Sequence, residues 1–225
     1  MQKPTAFLFD LNGTMIDDMR YHIKAWHDIL NTLGANISMG QMKEECYGKN
    51  EELLERIFPG RFSAEEKKIM SIEKETAYQN AYQPELSLIK GLPGFLSSAK
   101  GHDIKMAIGS AAIMFNIDFV LDGLNIRRYF NSIVSADDVS FSKPHPETYL
   151  KCAELLGENP NNCIVFEDSP KGVEAAANAG MRSVVLTTMH TKKEFSKYGD
   201  IICFVGDYTD PRLKVLFQNY QAVFN

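Results

Sequence analysis

Six short apolar runs, at residues 6–9, 105–110, 133–135, 163–166, 183–186 and 201–205, are separated by stretches far longer than a hairpin turn. Most of those stretches carry the three- and four-residue apolar spacing of helices. Parallel strands cannot be joined by a tight turn and need a crossover, usually a helix. Apolar runs punctuated by helices therefore predict βαβ units and an α/β fold, a Rossmann-like parallel sheet core flanked by helices. One interval breaks the alternation. From about residue 38 to 82 the chain is charged and helical throughout, with helical patterns at 41–45, 51–58 and 64–81 and no strand-like run. A self-contained helical insert is thus expected directly after the first strand. A last amphipathic helix is expected over 213–224.

In an open α/β sheet, ligands bind at the carboxyl ends of the strands, so the residues that end each run carry the functional information. The first run, Ala6-Phe-Leu-Phe9, stops at Asp10-Leu-Asn12-Gly13-Thr14. Gly13 permits a sharp turn and close approach of the backbone to a ligand. Asp10 stands at the rim of a dry sheet, where a carboxylate can attack phosphorus or hold a metal. A strand, a glycine turn and a solvated carboxylate account for this stretch at least as well.

Three further strand ends carry polar groups. Ser110 offers a hydroxyl, and Ala111 after it a backbone N–H, a pair suited to a phosphate oxygen; Gly-Ser also ends many strands without a ligand. Lys143 precedes Pro144 in a loop, where an ammonium would balance phosphate charge, although a loop lysine is ordinarily solvated. Glu167-Asp168 ends a buried run, so two adjacent carboxylates need a counter-charge there. A hard divalent cation would provide one. A cap cluster for the helix opening at Ser169-Pro170 is the equal alternative.

Taken in order, Asp10, Ser110, Lys143-Pro144 and Glu167-Asp168 form a set that resembles the haloacid dehalogenase superfamily, most nearly its β-phosphoglucomutase-like branch. The segment Phe166-Glu-Asp-Ser-Pro-Lys-Gly-Val-Glu-Ala-Ala-Ala-Asn-Ala-Gly180 carries most of the resemblance, and Ser142-Lys-Pro-His-Pro146 supports it. It extends over essentially the whole chain. The resemblance implies an α/β catalytic core at 1–15 and 85–225 and a helical cap domain at 16–84. It implies Asp10 as a nucleophile that forms an aspartyl-phosphate. It also implies Mg²⁺ held by Asp10, the Asn12 carbonyl and Asp168, with Glu167 on a metal-bound water. Ser110 and Lys143 would hold the transferring phosphoryl group. In the cap, His22, Lys49 and Lys74 fall where relatives place substrate-facing groups. By pattern alone His22 lies on the apolar face formed by Ala25, Trp26, Ile29, Leu30 and Leu33, where a histidine is usually packed core, and Lys74 is a helix surface charge.

The departure from the family pattern is Asn12. Relatives usually carry a second aspartate there as general acid/base. An amide keeps the backbone carbonyl as a ligand but neither gives nor takes a proton usefully, and losing a positioned acid/base costs about 10²–10⁴-fold. A phosphatase for a small phosphorylated, sugar phosphate-like metabolite is therefore expected, either one with a good leaving group or a slow one for sugar phosphates. Phosphomutase cycling is the alternative and would need His22 or Asp17 to move the proton. A non-catalytic phosphate-metabolite-binding protein is a further alternative. A receiver-type signalling domain is disfavoured by the insert and the late Glu-Asp pair, and a dehalogenase by that pair.

The totals exclude other classes. A net charge of -5 offers no footprint for nucleic acid. No apolar run reaches membrane-spanning length. The four cysteines, Cys46, Cys152, Cys163 and Cys203, include no CxxC pair, so reduced thiols and a cytoplasmic location are expected. The short lead before the first strand leaves no room for a signal peptide. A monomer or weak homo-oligomer is the expected state.

Overall fold

The computed structural model describes residues 4–218, which fall into two compact units. One lies within Met1–Asp17 and Ser87–Asn225; the other is Asp18–Leu86. In chain order the first half gives β1 (Ala6–Phe9), α1 (Met19–Thr32), α2 (Met39–Glu45), α3 (Asn50–Ile57), α4 (Ala64–Tyr82), α5 (Leu92–Gly101) and β2 (Lys105–Gly109). Then follow α6 (Met114–Gly123), β3 (Ser132–Val134), α7 (Glu147–Leu156), β4 (Cys163–Glu167), α8 (Pro170–Asn178), β5 (Arg182–Leu186) and β6 (Ile201–Val205).

The six strands make one parallel sheet in the order β3-β2-β1-β4-β5-β6. The chain winds outward from β1 to one edge, then returns to pair β4 with the other side of β1. That reversal puts the topological switch point at the carboxyl ends of β1 and β4, where an α/β sheet opens a crevice for ligands. The register aligns Phe9 with Ile108 and with Phe166. Asp10 and Glu167 therefore end adjacent strands at one level, with Ser110 one residue beyond that level on the other neighbour.

The alternation along β1 divides the core. Ala6 and Leu8 face a cluster with Tyr149, Cys152 and Ala153 of α7 and Ala175 and Ala176 of α8. Phe7 and Phe9 face an aromatic layer instead. The Phe166 ring lies 5.3 Å from Phe7, 4.7 Å from Phe9, 5.2 Å from Phe95 and 5.9 Å from Tyr208. The four cysteines are free thiols. No helix among the described residues is long and apolar enough to cross a membrane.

The helix expected at 213–224 is replaced by a 3₁₀ segment, Pro211–Phe217, within the described residues; 219–224 lie outside them. Asp210 accepts a hydrogen bond from the Arg212 N–H at 3.0 Å. Leu213 and Leu216, three residues apart, are both buried, which suits a turn of three residues.

The helical unit is built on α1 and α4. Ser38 and Ser63 open α2 and α4 with reciprocal capping boxes. Arg56 pins the segment after α2, donating from Nη2 to the carbonyls of Glu45 at 2.7 Å and Tyr47 at 2.9 Å. α1 buries Ile23, Trp26 and Leu30 together with His22. α4 is turned the other way round. Its buried residues are Ser71, Lys74, Glu75, Tyr78 and Tyr82, while Ile69 and Ile72 are 51% and 41% exposed. A helix normally hides its apolar residues; the inward face of α4 instead mixes the packed rings of Tyr78 and Tyr82 with the polar Ser71, Lys74 and Glu75.

Phe166→Ala should cost about 3–5 kcal/mol through the cavity left in the aromatic layer, whereas Leu155→Ala, at a residue 55% exposed, should change stability by less than about 0.5 kcal/mol. Urea denaturation of the two variants checks this, and equal midpoints would contradict the layer's place in the core.

Candidate active site

The loop after β1 is tied down by its backbone. The Asp10 N–H donates to the Phe166 carbonyl at 2.9 Å, and the Met15 N–H to the Leu11 carbonyl at 2.8 Å. Thr188 Oγ1 donates to the Gly13 carbonyl at 2.6 Å, and the Tyr208 hydroxyl to the Thr14 carbonyl at 3.0 Å. Gly13 has φ +75°, and a Cβ there would lie 2.1 Å from Asp168 Oδ2. Glycine is required on both counts.

Lys143 joins two strand ends. Its Nζ donates to Asp10 Oδ1 at 2.7 Å and to Glu167 Oε1 at 2.6 Å, with all three side chains buried. The Tyr149 hydroxyl also donates to Glu167 Oε1, at 2.7 Å, and its ring lies 4.7 Å from the ammonium. Glu167 Oε2 accepts from the Asp168 N–H, the Ser169 N–H and Ser169 Oγ, each at 3.0 Å. Its carboxylate thus sits on the first turn of α8, the positive end of the helix dipole. Gly172 makes room for it, since a Cβ there would be 1.8 Å from Glu167 Oε1.

These contacts set the charge states. Burial alone would lower the Lys143 ammonium, but Asp10 and Glu167 outweigh it and hold the group above its usual value. Burial would raise Glu167, yet Lys143 and the other donors hold it below its ordinary 4.5. Burial and the neighbouring Glu167 push the Tyr149 phenol well up, so it stays a donor.

Asp10, Glu167 and Asp168 each present a carboxylate oxygen within 4.8 Å of the others. Lys143 offsets one of the three negative charges, and a divalent cation would offset the remaining two. The donor set, all oxygen, suits a hard ion such as Mg²⁺. Glu167 already accepts five hydrogen bonds, so Asp10 and Asp168 are the better placed to touch an ion directly.

Ser110 is buried at the end of β2; its N–H donates to the Val134 carbonyl at 3.0 Å and its Oγ accepts from the Ala112 N–H at 3.1 Å. Ala111 and Asn12 are half-buried, and the Asn12 backbone bridges to Ile16. His22, Lys49 and Lys74 belong to the helical unit. There the structure brings two of them together: Lys74 Nζ lies 2.6 Å from His22 Nδ1, and Lys74 is 2% exposed. Lys49 precedes α3 as its N-cap and donates from its N–H to Glu52 Oε2 at 3.0 Å.

Several residues of these networks are not among those the strand ends point to. Tyr149 is one, because an aromatic on a core helix carries no local mark of its partner. Gly172 does carry one: a glycine inside the first turn of a helix signals a close neighbour. In the helical unit, Asp18 Oδ2 accepts from the Tyr78 hydroxyl at 2.5 Å and lies 3.2 Å from His22 Nε2. The ammonium can only donate to Nδ1, so Nε2 carries the proton toward Asp18. Both nitrogens of His22 are engaged.

The haloacid dehalogenase-like hydrolase family model matches residues 7–186. The chain belongs to the haloacid dehalogenase-like hydrolases. This hydrolase is 29% identical over 184 residues to the fructose-1-phosphate phosphatase of Escherichia coli K12, covering 81% of the chain and 96% of that protein. It is 32% identical over 188 residues to the β-phosphoglucomutase of Bacillus subtilis, covering 80% and 81%. The crystal structure of β-phosphoglucomutase from Clostridium difficile superposes with a TM-score of 0.82 at 28% identity, covering 96% of this chain and 97% of that one.

Lys143→Met should remove the charge that both buried carboxylates depend on, at a cost of about 3–5 kcal/mol near neutral pH. Glu167 in the wild type lies below its ordinary 4.5, so its contribution is present above that pH and fades as the pH falls further. In the variant the largest force opposing burial is gone, so Glu167 lies higher than in the wild type and takes its proton at higher pH, and the loss should shrink as the pH falls. Denaturation midpoints of both proteins from pH 7 to 4 check the sign, and a gap that widens on acidification would contradict it.

Proposed function

We propose that this hydrolase is a Mg²⁺-dependent phosphatase for a small, sugar-like phosphorylated metabolite, acting through an aspartyl-phosphate on Asp10. The observation that carries the reading is the buried meeting of Asp10, Lys143, Glu167 and Asp168 at the switch point of the sheet. A carboxylate oxygen of Asp10 attacks phosphorus, the bond from phosphorus to the leaving oxygen breaks, and the acyl phosphate forms. Water then attacks the same phosphorus, releasing phosphate and restoring Asp10. Mg²⁺, held by Asp10, Asp168 and the Asn12 carbonyl, would supply Lewis-acid neutralisation of the phosphoryl oxygens. Lys143 adds a fixed positive charge beside the nucleophile, so two anions can approach. Glu167 keeps that ammonium in place and charged. Ser110 and the Ala111 N–H are the proposed phosphoryl contacts.

The helical unit, Asp18–Leu86, is proposed as a cap that supplies substrate-facing groups from His22, Lys74 and Lys49. The names of the relatives, a fructose-1-phosphate phosphatase and a β-phosphoglucomutase, support a sugar phosphate as the substrate class. Free thiols support a reducing cytoplasm. Asn12 favours hydrolysis over mutase cycling. A mutase must deprotonate a second hydroxyl, and His22 has both nitrogens committed to Lys74 and Asp18.

Phosphate release should be detected with Mg²⁺ and vanish with a chelator, and Asp10→Asn should abolish it. Rates should be higher on aryl and anomeric phosphates than on primary sugar phosphates, and Asn12→Asp should raise the latter by about 10²-fold. A wild type that already cleaves primary sugar phosphates at ordinary rates, with no gain from Asn12→Asp, would show that the proton comes from elsewhere.

A further inference from the structure

Two hydroxyls from strand ends that take no part in the proposed chemistry close on the loop that carries Asp10. Thr188 lies two residues beyond β5, and Tyr208 three residues beyond β6. Thr188 Oγ1 donates to the Gly13 carbonyl at 2.6 Å, and the Tyr208 hydroxyl donates to the next carbonyl, that of Thr14, at 3.0 Å. Each donor is itself held by its surroundings. The Thr187 N–H donates to the Val205 carbonyl at 2.9 Å, and the Tyr208 N–H to the Lys90 carbonyl at 2.9 Å. The Tyr208 ring packs in the aromatic layer, 5.4 Å from Phe95. Burial, with the negative Asp10 and Asp168 nearby, keeps its phenol well above the ordinary value, so it stays a donor.

The loop needs anchors at this point. Gly13 has φ +75°, and a glycine leaves the peptides on either side of it free to rotate. The peptide between Gly13 and Thr14 is held at both ends, its carbonyl by Thr188 and its N–H by the Leu11 carbonyl at 3.3 Å. The peptide before it carries the Asn12 carbonyl, one of the oxygens proposed for the cation. Asp168, another of them, lies against the same two residues. A Cβ on Gly13 would be 2.1 Å from Asp168 Oδ2, and Thr14 Oγ1 donates to Asp168 Oδ1 at 3.5 Å. The carbonyls that Thr188 and Tyr208 hold therefore belong to the residues on which the Asp168 carboxylate rests.

We propose that Thr188, backed by Tyr208, is a positioning residue for the cation site. It acts through the backbone, by fixing the glycine turn that bears the Asn12 carbonyl and seats Asp168. This rests on the phosphatase reading for its choice of Mg²⁺ ligands and adds the group that orders them. Removing a partner that orients metal ligands ordinarily lowers metal affinity about 10–100-fold.

Calorimetric titration with Mg²⁺ alone, on the full chain, compares the wild type with Thr188→Val, Thr188→Ser and Tyr208→Phe. Thr188→Val keeps the branched shape and loses the hydroxyl, and its dissociation constant for Mg²⁺ should rise about tenfold or more. Thr188→Ser keeps the hydroxyl and should restore most of the affinity. The melting temperature of Thr188→Val without Mg²⁺ should fall by only about 2–4 °C, as for one hydrogen bond in a chain of this size. In phosphate release, excess Mg²⁺ should recover most of kcat in Thr188→Val, whereas a general loss of structure would lower kcat at every Mg²⁺ concentration. A folded Thr188→Val that binds Mg²⁺ as tightly as the wild type overturns the proposal. If Thr188→Val does not fold, Tyr208→Phe, which keeps the ring and loses only the hydroxyl, carries the same expectation and the same refutation. A wild type that binds Mg²⁺ yet releases phosphate from no substrate overturns the phosphatase reading alone, because the dissociation constants still decide the role of Thr188.

Discussion

One ammonium shared between two carboxylates holds the working end of this sheet together. Lys143 reaches Asp10 across 133 positions of sequence and Glu167 across 24. Burying such a group is expensive, and a buried ion pair rarely repays its desolvation fully. The surroundings show how the cost is limited. Glu167 is held on the first turn of α8 by backbone and side-chain donors, so the carboxylate that balances Lys143 is itself fixed and fully hydrogen-bonded. The ammonium is then a rigid charge beside Asp10. A side chain held in this way needs no reorganisation when negative charge arrives, which is the condition under which electrostatic stabilisation is effective.

The helical unit repeats the theme with different parts. Polar side chains of the helical unit form a chain of contacts from Tyr78 through Asp18, His22 and Lys74 to Glu75 and Asn50. The imidazole is the relay that fixes the order: because Lys74 only donates, the proton of His22 must lie on Nε2. His22 also stacks on Tyr78 with ring centroids 3.7 Å apart. A partly satisfied polar network is less stable than an apolar core. The helix α4 leaves Ile69 and Ile72 in solvent, so polar residues are among its buried ones and two of its apolar residues are not.

The parallel sheet was legible because buried strands write themselves as apolar runs, and the strand ends that matter were legible because Asp10, Ser110 and Glu167-Asp168 interrupt those runs with polar chemistry. What was not legible is pairing. Lys143 looks like a loop lysine, and nothing local says that its partner is Glu167 as well as Asp10. Lys74 looks like a surface charge, because a helix with Lys and Glu inside and Ile outside has the same composition as its inverse. Only the three-dimensional neighbourhood reveals Tyr149 beneath the ammonium. Gly172 is the exception that sequence could have supplied, since its missing side chain is the space that Glu167 fills.

The amide at Asn12 changes which half of the chemistry is difficult. On the proposed mechanism, Asp10, the Lys143 ammonium and the oxygen donors for a cation are all present, so attack on phosphorus would be supported as fully as in a chain with an acid at that position. What is lost is a proton source for the leaving oxygen and a proton acceptor for the group that attacks next. An acyl phosphate softens the second loss, because the carboxylate it expels is already a good leaving group and the water that attacks it needs little help. For the first loss, Lys143 is held charged by two carboxylates and the Tyr149 hydroxyl donates its proton to Glu167, so neither is a ready proton source. The burden therefore passes to the substrate, whose leaving oxygen must either be stable as an anion or take its proton from water.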